Sequence, residues 1–173
     1  SGRHRRVIRA EGVSFFFYYM GLNVRNEYLA KPKVVEALKY LVDYQGIADT
    51  ISRGTMEVHQ TLVPKGFLGA IDYKPYTLDI EKAKALLAEA GFPDGFETAL
   101  YASSTDPNPR SAQALQQDFA AIGVKAEIKA LANANVIAAG GTEGEAPMIW
   151  SGGMAWIADF PDPSNFYGPI LGC

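Results

Sequence analysis

One cysteine, two histidines and no long apolar run set the first limits on this 173-residue chain. A single thiol, Cys173, closes no intrachain disulfide, so cysteine content leaves the redox compartment open. Its place at the last position suggests that its partner lies outside the sequence. With His4 and His59 as the only imidazoles, no zinc-ligand spacing exists, and Asp159 with Asp162 alone make a poor calcium cage. Neither a metal nor any other cofactor is expected. No stretch of about 18 apolar residues is available to span a bilayer. Charge of one sign is also scarce: 16 Lys and Arg stand against 19 Asp and Glu, a formal net charge of −3, so a nucleic-acid partner is not expected.

The start of the chain is the uneven part. Arg3, Arg5, Arg6 and Arg9 read as a solvated end rather than a phosphate-binding arm. The following stretch from Val13 to Leu22 imitates a secretory signal, yet it is aromatic and has no small-x-small cleavage site. A buried strand explains it better. Because the first residue is Ser rather than Met, the chain is expected to be processed or to be a piece of something longer.

What is abundant is apolar side chain. Hydrophobic residues make up 48% of a chain of single-domain size, enough to fill one core. Val13 to Asn23 is β-branched and aromatic and predicts an extended strand. Pro32, with Val34, Ala37, Leu38, Leu41 and Val42 at three- and four-residue spacing, predicts a helix ending by Gly46, and a short helix follows over Ile47 to Ser52. Gly54 to Tyr76 lacks periodicity and reads as a long irregular segment. Asp79 is placed to cap a helix carrying Ala83, Leu86, Leu87 and Ala90, which Gly91 stops. A strand over Glu97 to Ser103, a helix from Asn108 with Ala112, Leu115, Phe119 and Ile122 inward, and an alternating strand over Val124 to Ala130 come next. A short helix over Asn133 to Ala139, a flexible loop over Gly140 to Gly144 and a buried strand over Pro147 to Ser151 complete a β-α-β-α-β series.

That order predicts an α/β fold with a mainly parallel sheet flanked by helices, because such crossovers pack back onto the sheet in one hand only. Ligands in such sheets bind outside the carboxyl ends of the strands, where everything after Gly152 emerges.

The segment Trp156-Ile157-Ala158-Asp159-Phe160-Pro161-Asp162-Pro163 then holds the chemistry. Its prolines fix their own φ and press Phe160 and Asp162 toward extended geometry, leaving a preordered loop. A carboxylate between aromatic rings sees a lowered dielectric, which favours pairing with an ammonium. The two acids divide. Asp162 precedes Pro163 and a short helix over Ser164 to Leu171, so it reads as an N-cap, whereas Asp159 has no helix to cap and is the ligand-binding candidate. Trp150 sits in an apolar strand and is assigned to packing; Trp156, past two glycines, is the better pocket wall.

Those same residues resemble the W-x-x-D-aromatic-x-D-P segment in the second lobe of the extracellular solute-binding proteins, family 5, that serve ABC transporters of dipeptides, oligopeptides and nickel. Leu78 to Phe92 (LDIEKAKALLAEAGF) resembles a helix of that family, as do Asn23 with Pro32, Val34, Ala37, Leu38 and Asp43, Leu62 to Gly66, and Ala114 to Val124. Val35 departs from the pattern, which usually carries an Arg there. The resemblance implies that residues 1–173 form a single lobe, most of the C-terminal lobe of a longer two-lobe protein. It implies non-catalytic binding of a peptide or related small solute in the periplasm or at the cell surface, for delivery to a membrane permease. By the same resemblance Asp159 receives the solute's α-ammonium, Trp156, Phe160 and Ile157 line the pocket, and Cys173 pairs with a cysteine further on.

Two other readings compete. Ser52, His59 and Asp49 suggest a hydrolase triad only by their nearness in sequence; no G-x-S-x-G elbow accompanies them, and no enzyme is expected. Gly140 to Gly144 lacks the G-K-S/T ending of a phosphate loop. The other alternative is an isolated lobe or interaction module with no ligand affinity of its own, whose exposed aromatic surface self-associates.

Overall fold

A computed structural model of the chain describes residues 16–150 and 156–171. In chain order the elements are β1 (Phe16–Phe17), β2 (Met20–Leu22), α1 (Pro32–Leu41), α2 (Tyr44–Thr50), α3 (Ile80–Glu89), β3 (Glu97–Ser103), α4 (Asn108–Ala120), β4 (Lys125–Leu131), α5 (Asn133–Gly141), β5 (Met148–Trp150), β6 (Trp156–Ile157) and α6 (Ser164–Leu171). The basic residues Arg3 to Arg9, Val13, the glycines after Ser151 and Cys173 lie outside the described residues.

The main sheet has the order β2-β5-β3-β4. β3 pairs parallel with both β4 and β5, and β2 closes one edge antiparallel to β5. The β-α-β-α-β expectation therefore holds, with one antiparallel strand added. Alternation along the strands sorts the two faces. Leu100, Ala102, Ala126 and Met148 enter the principal core with Val34, Leu38 and Leu41 of α1, Ala83 and Leu87 of α3, and Leu115 and Phe119 of α4. Tyr101, Leu131 and Ile149 face the other way, onto Val136 and Ala139 of α5. β4 is an edge strand, and the predicted alternation fades along it: Val124 and Ala126 are buried, but Ala130 is exposed.

Local chemistry explains the element ends. Pro32 occupies the first helical turn of α1. Asp79 accepts the Lys82 N–H at 2.9 Å and caps α3, while its own N–H donates to the Tyr40 carbonyl at 2.8 Å and ties the start of α3 to the end of α1. Gly95 and Gly123, both with positive φ, precede β3 and β4. A Cβ on Gly95 would overlap the Gly123 carbonyl group, so the two turns cross backbone on backbone and place both strands in register.

The single strand predicted over Val13 to Asn23 is corrected. Its described part is split: β2 joins the main sheet, while β1 pairs antiparallel with β6 in a separate two-stranded ribbon. Met20 lies opposite Trp150 and Phe17 opposite Trp156, so two residues on one side face five on the other. A ladder cannot run continuously across unequal lengths. The short helix expected at Ile47 to Ser52 begins earlier, at Tyr44, because the Asp43 carboxylate accepts the Gly46 N–H at 2.9 Å and starts it there.

Candidate functional site

The ribbon carries the proline-stiffened turn. Trp156 and Ile157 form β6, opposite Phe17 and Phe16 respectively, and the chain then turns through Asp159 to Pro163 into α6. Beneath the turn is a third apolar cluster, separate from the two that sandwich the main sheet. Val63, Phe67 and Phe166 are its buried members, with Leu62, Ala70, Trp156, Ala158 and Ile170 packed around them. The Phe67 and Phe166 rings meet edge-on, 5.2 Å between centroids at 85°. The long irregular segment thus has a structural role, since its Leu62–Ala70 portion is the floor on which the turn and α6 sit. Gly69 lies beside Pro163, where an added Cβ would make an ordinary contact with Pro163 Cγ at 3.7 Å.

Hydrogen bonds fix the turn on its α6 side. The Asp162 carboxylate accepts the Ser164 N–H at 2.9 Å and the Ser164 hydroxyl at 2.6 Å. Those two bonds, the hydroxyl's first, hold its pKa below the ordinary aspartate range. Asp162 therefore caps, as its position before Pro163 predicted. Asn165 is a functional candidate that the sequence pattern does not single out. It is only 6% exposed, and its Oδ1 accepts the Asp159 N–H at 2.9 Å while its own N–H donates to the Asp162 carbonyl at 3.0 Å. Its signal is a polar side chain beside an apolar Phe in the first turn of a short helix.

The side chains of the turn point mostly outward. Asp159 is exposed, and among the described residues no Lys or Arg pairs with it. Ile157 is 53% and Phe160 51% exposed. Trp156 is half-buried against the third cluster, so it forms the base of the turn as much as a wall, and its indole Nε1 is buried without a hydrogen-bond partner. Trp150 packs as expected: it borders the principal core, and its Nε1 donates to Asn108 Oδ1 at 3.0 Å.

Among the described residues, nothing supplies the sheltered, low-dielectric setting expected for Asp159. A single α/β layer supplies one wall, and an exposed carboxylate is screened by water. Two surface cavities occur elsewhere. A groove of about 800 Å3 lies at the amino ends of β3 and β4, lined by Glu97, Thr98, Gln116, Val124 and Glu127 among others. A smaller one of about 320 Å3 lies beside α2, with Asp49, Arg53, Glu57 and Lys74. Neither includes a residue of the turn, and the larger one is at the opposite end of the parallel strands from the exit of β5.

The proposed triad does not assemble. Ser52 is buried; His59 Nε2 donates to the Val63 carbonyl at 2.7 Å; Asp49 Oδ1 accepts from the Gln45 amide at 2.9 Å. His59 and Asp49 are thus committed to other partners, and Ser52 is withdrawn from the surface. Among the described residues no three His, Cys, Asp or Glu side chains cluster, and no helix is long and apolar enough to cross a membrane.

Comparison with known proteins decides the family. The model of the bacterial extracellular solute-binding proteins, family 5, matches residues 4–173. The chain belongs to that family. Similar curated proteins include heme-binding protein A of Haemophilus influenzae, 34% identical over 160 residues that make up 89% of this chain and 28% of that protein. The dipeptide-binding protein of Escherichia coli is 34% identical over 161 residues, 90% of this chain and 29% of its own length. Among solved structures, an ABC transporter-associated periplasmic binding protein from Helicobacter pylori, in complex with the peptide STSA, superposes with a TM-score of 0.80 at 30% identity, covering 90% of this chain and 30% of that one. The chain thus spans less than a third of the length of these relatives, and the mainly parallel α/β layer is that of a periplasmic binding protein.

Proposed function

We propose that this chain is the second-lobe part of a non-catalytic solute receptor for ABC-transporter import, and that the turn over Trp156–Pro163 takes the amino end of a peptide or related small solute. Asp159 accepts the α-ammonium; Trp156, Phe160 and Ile157 contribute apolar surface around it. The opposing wall comes from a further lobe, the closed form is presented to a membrane permease, and the whole works in the periplasm or anchored at the cell surface. The carrying observation is an exposed carboxylate, without a cation partner among the described residues, on a turn pinned from below by a buried Asn and an aromatic cluster.

The energetics require the second wall. An ammonium meeting Asp159 on this open face gains only about 0–1 kcal/mol, as any exposed pair does. With water excluded, a charge-assisted hydrogen bond contributes about 1.5–3 kcal/mol, and removing one partner costs more. In the longer protein carrying this chain, calorimetry with alanylphenylalanine should show Asp159→Ala weakening binding by at least ~2 kcal/mol. The N-acetyl form of the dipeptide should bind weakly to both. Unchanged affinity in Asp159→Ala would remove Asp159 from the site.

One observation favours a second reading, a lobe with no solute affinity of its own: the turn lines neither cavity. Titration of the 173-residue chain separates the two, because micromolar dipeptide binding by this chain without a second lobe would contradict the need for closure.

A further inference from the structure

We infer that Asn165 is the positioning residue of the turn: it sets the direction of Asp159 by holding that residue's backbone, without touching a ligand itself. Four observations meet at this residue. It is 6% exposed, so its amide is withdrawn from water and its hydrogen bond is not in open competition with solvent. Its Oδ1 accepts the Asp159 N–H at 2.9 Å from six residues away, across the turn. Its backbone N–H donates to the Asp162 carbonyl at 3.0 Å, the first-turn bond of α6, so the residue that bonds Asp159 through its side chain is itself tied to the Asp162 backbone. Its neighbour Phe166 is fully buried in the third cluster, which fixes the helix from which Asn165 reaches.

The consequence is geometric. Asp159 has an exposed side chain with no ion pair among the described residues, so nothing at the carboxylate end orients it. Upstream, the β1–β6 ladder ends at Ile157, two residues short of Asp159. Downstream, the Asp162 cap begins three residues later. Between those anchors the Asn165–Asp159 bond is, among the described residues, the one hydrogen bond from a side chain to the backbone of the carboxylate-bearing residue. A solute's ammonium meeting a carboxylate on a fixed backbone loses less ordering entropy than one meeting a carboxylate that swings. This role rests on the ammonium reading of Asp159, while the backbone hold itself does not.

The test separates those two layers. Asn165→Leu keeps the side-chain size and removes the acceptor; Asn165→Asp keeps an acceptor in place. Amide hydrogen exchange on the 173-residue chain should show the Asp159 N–H exchanging roughly two- to tenfold faster in Asn165→Leu, with recovery in Asn165→Asp and no change at Leu100 in β3. Equal exchange in wild type and Asn165→Leu overturns the inference whatever binding does. A double-mutant cycle with alanylphenylalanine in the longer protein supplies the second layer: Asn165→Leu should weaken binding severalfold when Asp159 is present and not at all in an Asp159→Asn background. A loss of equal size in both backgrounds would make Asn165 merely structural and overturn the positioning role. Should Asp159→Asn alone leave binding intact, the ammonium reading fails, and with it the role of Asn165 in capture, while the exchange result still reports whether it holds the turn.

Discussion

Truncating Phe166 should release the Trp156–Pro163 turn while leaving the main sheet folded. Phe166 is fully buried and meets Phe67 edge-on, and it is the residue through which α6 is seated under the turn. Phe→Ala in a closed core costs about 3–5 kcal/mol, part from lost transfer and part from the cavity. Here the lower end applies, because the cluster has three buried members and is bordered by the half-buried Trp156, so its surroundings can collapse into part of the space. About 3 kcal/mol is more than a small satellite cluster needs to open locally. None of its members belongs to the principal core, so the cost should fall on α6 and the turn before it reaches β3. The assay is amide exchange by NMR together with urea unfolding. In Phe166→Ala the Asp159 and Phe166 amides should exchange faster by at least tenfold, with the Leu100 amide close to its wild-type rate. Phe166→Leu, which loses less volume, should cost under about 1.5 kcal/mol. If Leu100 and Asp159 lose protection together and equally, the third cluster is continuous with the main core and the reasoning is refuted.

Other outcomes follow from the same packing. Gly95→Ala should destabilise the fold by more than the ~1 kcal/mol of an ordinary Gly replacement, because the added Cβ meets the backbone of Gly123 and the residue has positive φ; a melting temperature equal to wild type would contradict the crossing of the two turns. Asp118 is half-buried and accepts the Asp43 N–H at 3.0 Å; burial is the main cause of its raised pKa, with the Asp43 charge adding to it. A carboxyl raised on folding favours the protonated form, so its contribution is present below the usual aspartate value and is lost as pH rises through that value to the raised one. Asp118→Asn should flatten the stability profile across that acidic window and leave its shape elsewhere unchanged, as urea titrations from pH 3 to 7 would reveal. Finally, Ile157, Phe160, Tyr167 and Leu171 expose apolar surface along the turn and α6, so the isolated chain should self-associate at high concentration. A strictly monomeric elution profile at millimolar loading would count against it.

How much of this was legible beforehand depends on how local each cause is. The bounds of β3, the Asp79 cap of α3, the start of α4 and the cap at Asp162 follow from residues within one turn or strand of the feature, and all are found where the sequence places them. The split of the aromatic strand was not legible, because it is set by an unequal count of residues on a partner more than a hundred positions away. The fading alternation of β4 has the same character: VKAEIKA reads as half-buried throughout, yet an edge strand has a neighbour on one side only, and Ala130 is left exposed. For the site, composition indicated a stiff turn with a free acid. It did not indicate that Trp156 would face down into a separate cluster or that Asn165 would hold Asp159, since both depend on where residues 62–70 pass beneath.

Many surface acids of this chain are already engaged by a cation, whereas Asp159, like Asp94 and Glu145, has none among the described residues. Glu57 pairs with Lys65, Glu81 with Lys84, Asp106 with Arg110 and Glu97 with Lys125, all among exposed side chains. Such pairs stabilise little, but each would have to be broken before a ligand's cation could take the carboxylate. Asp159 imposes no such cost, since no described residue competes for it, and its backbone is already held. What it lacks is shelter. On the proposed reading, free energy for capture has to arise on closure, when a second wall removes water and the Coulomb term rises from its value at a protein surface toward that of an interior. A receptor of the proposed kind would discriminate by charge at the point of closure: a blocked amino end would bury the carboxylate unpaired and be rejected more strongly than the loss of one exposed ion pair could explain.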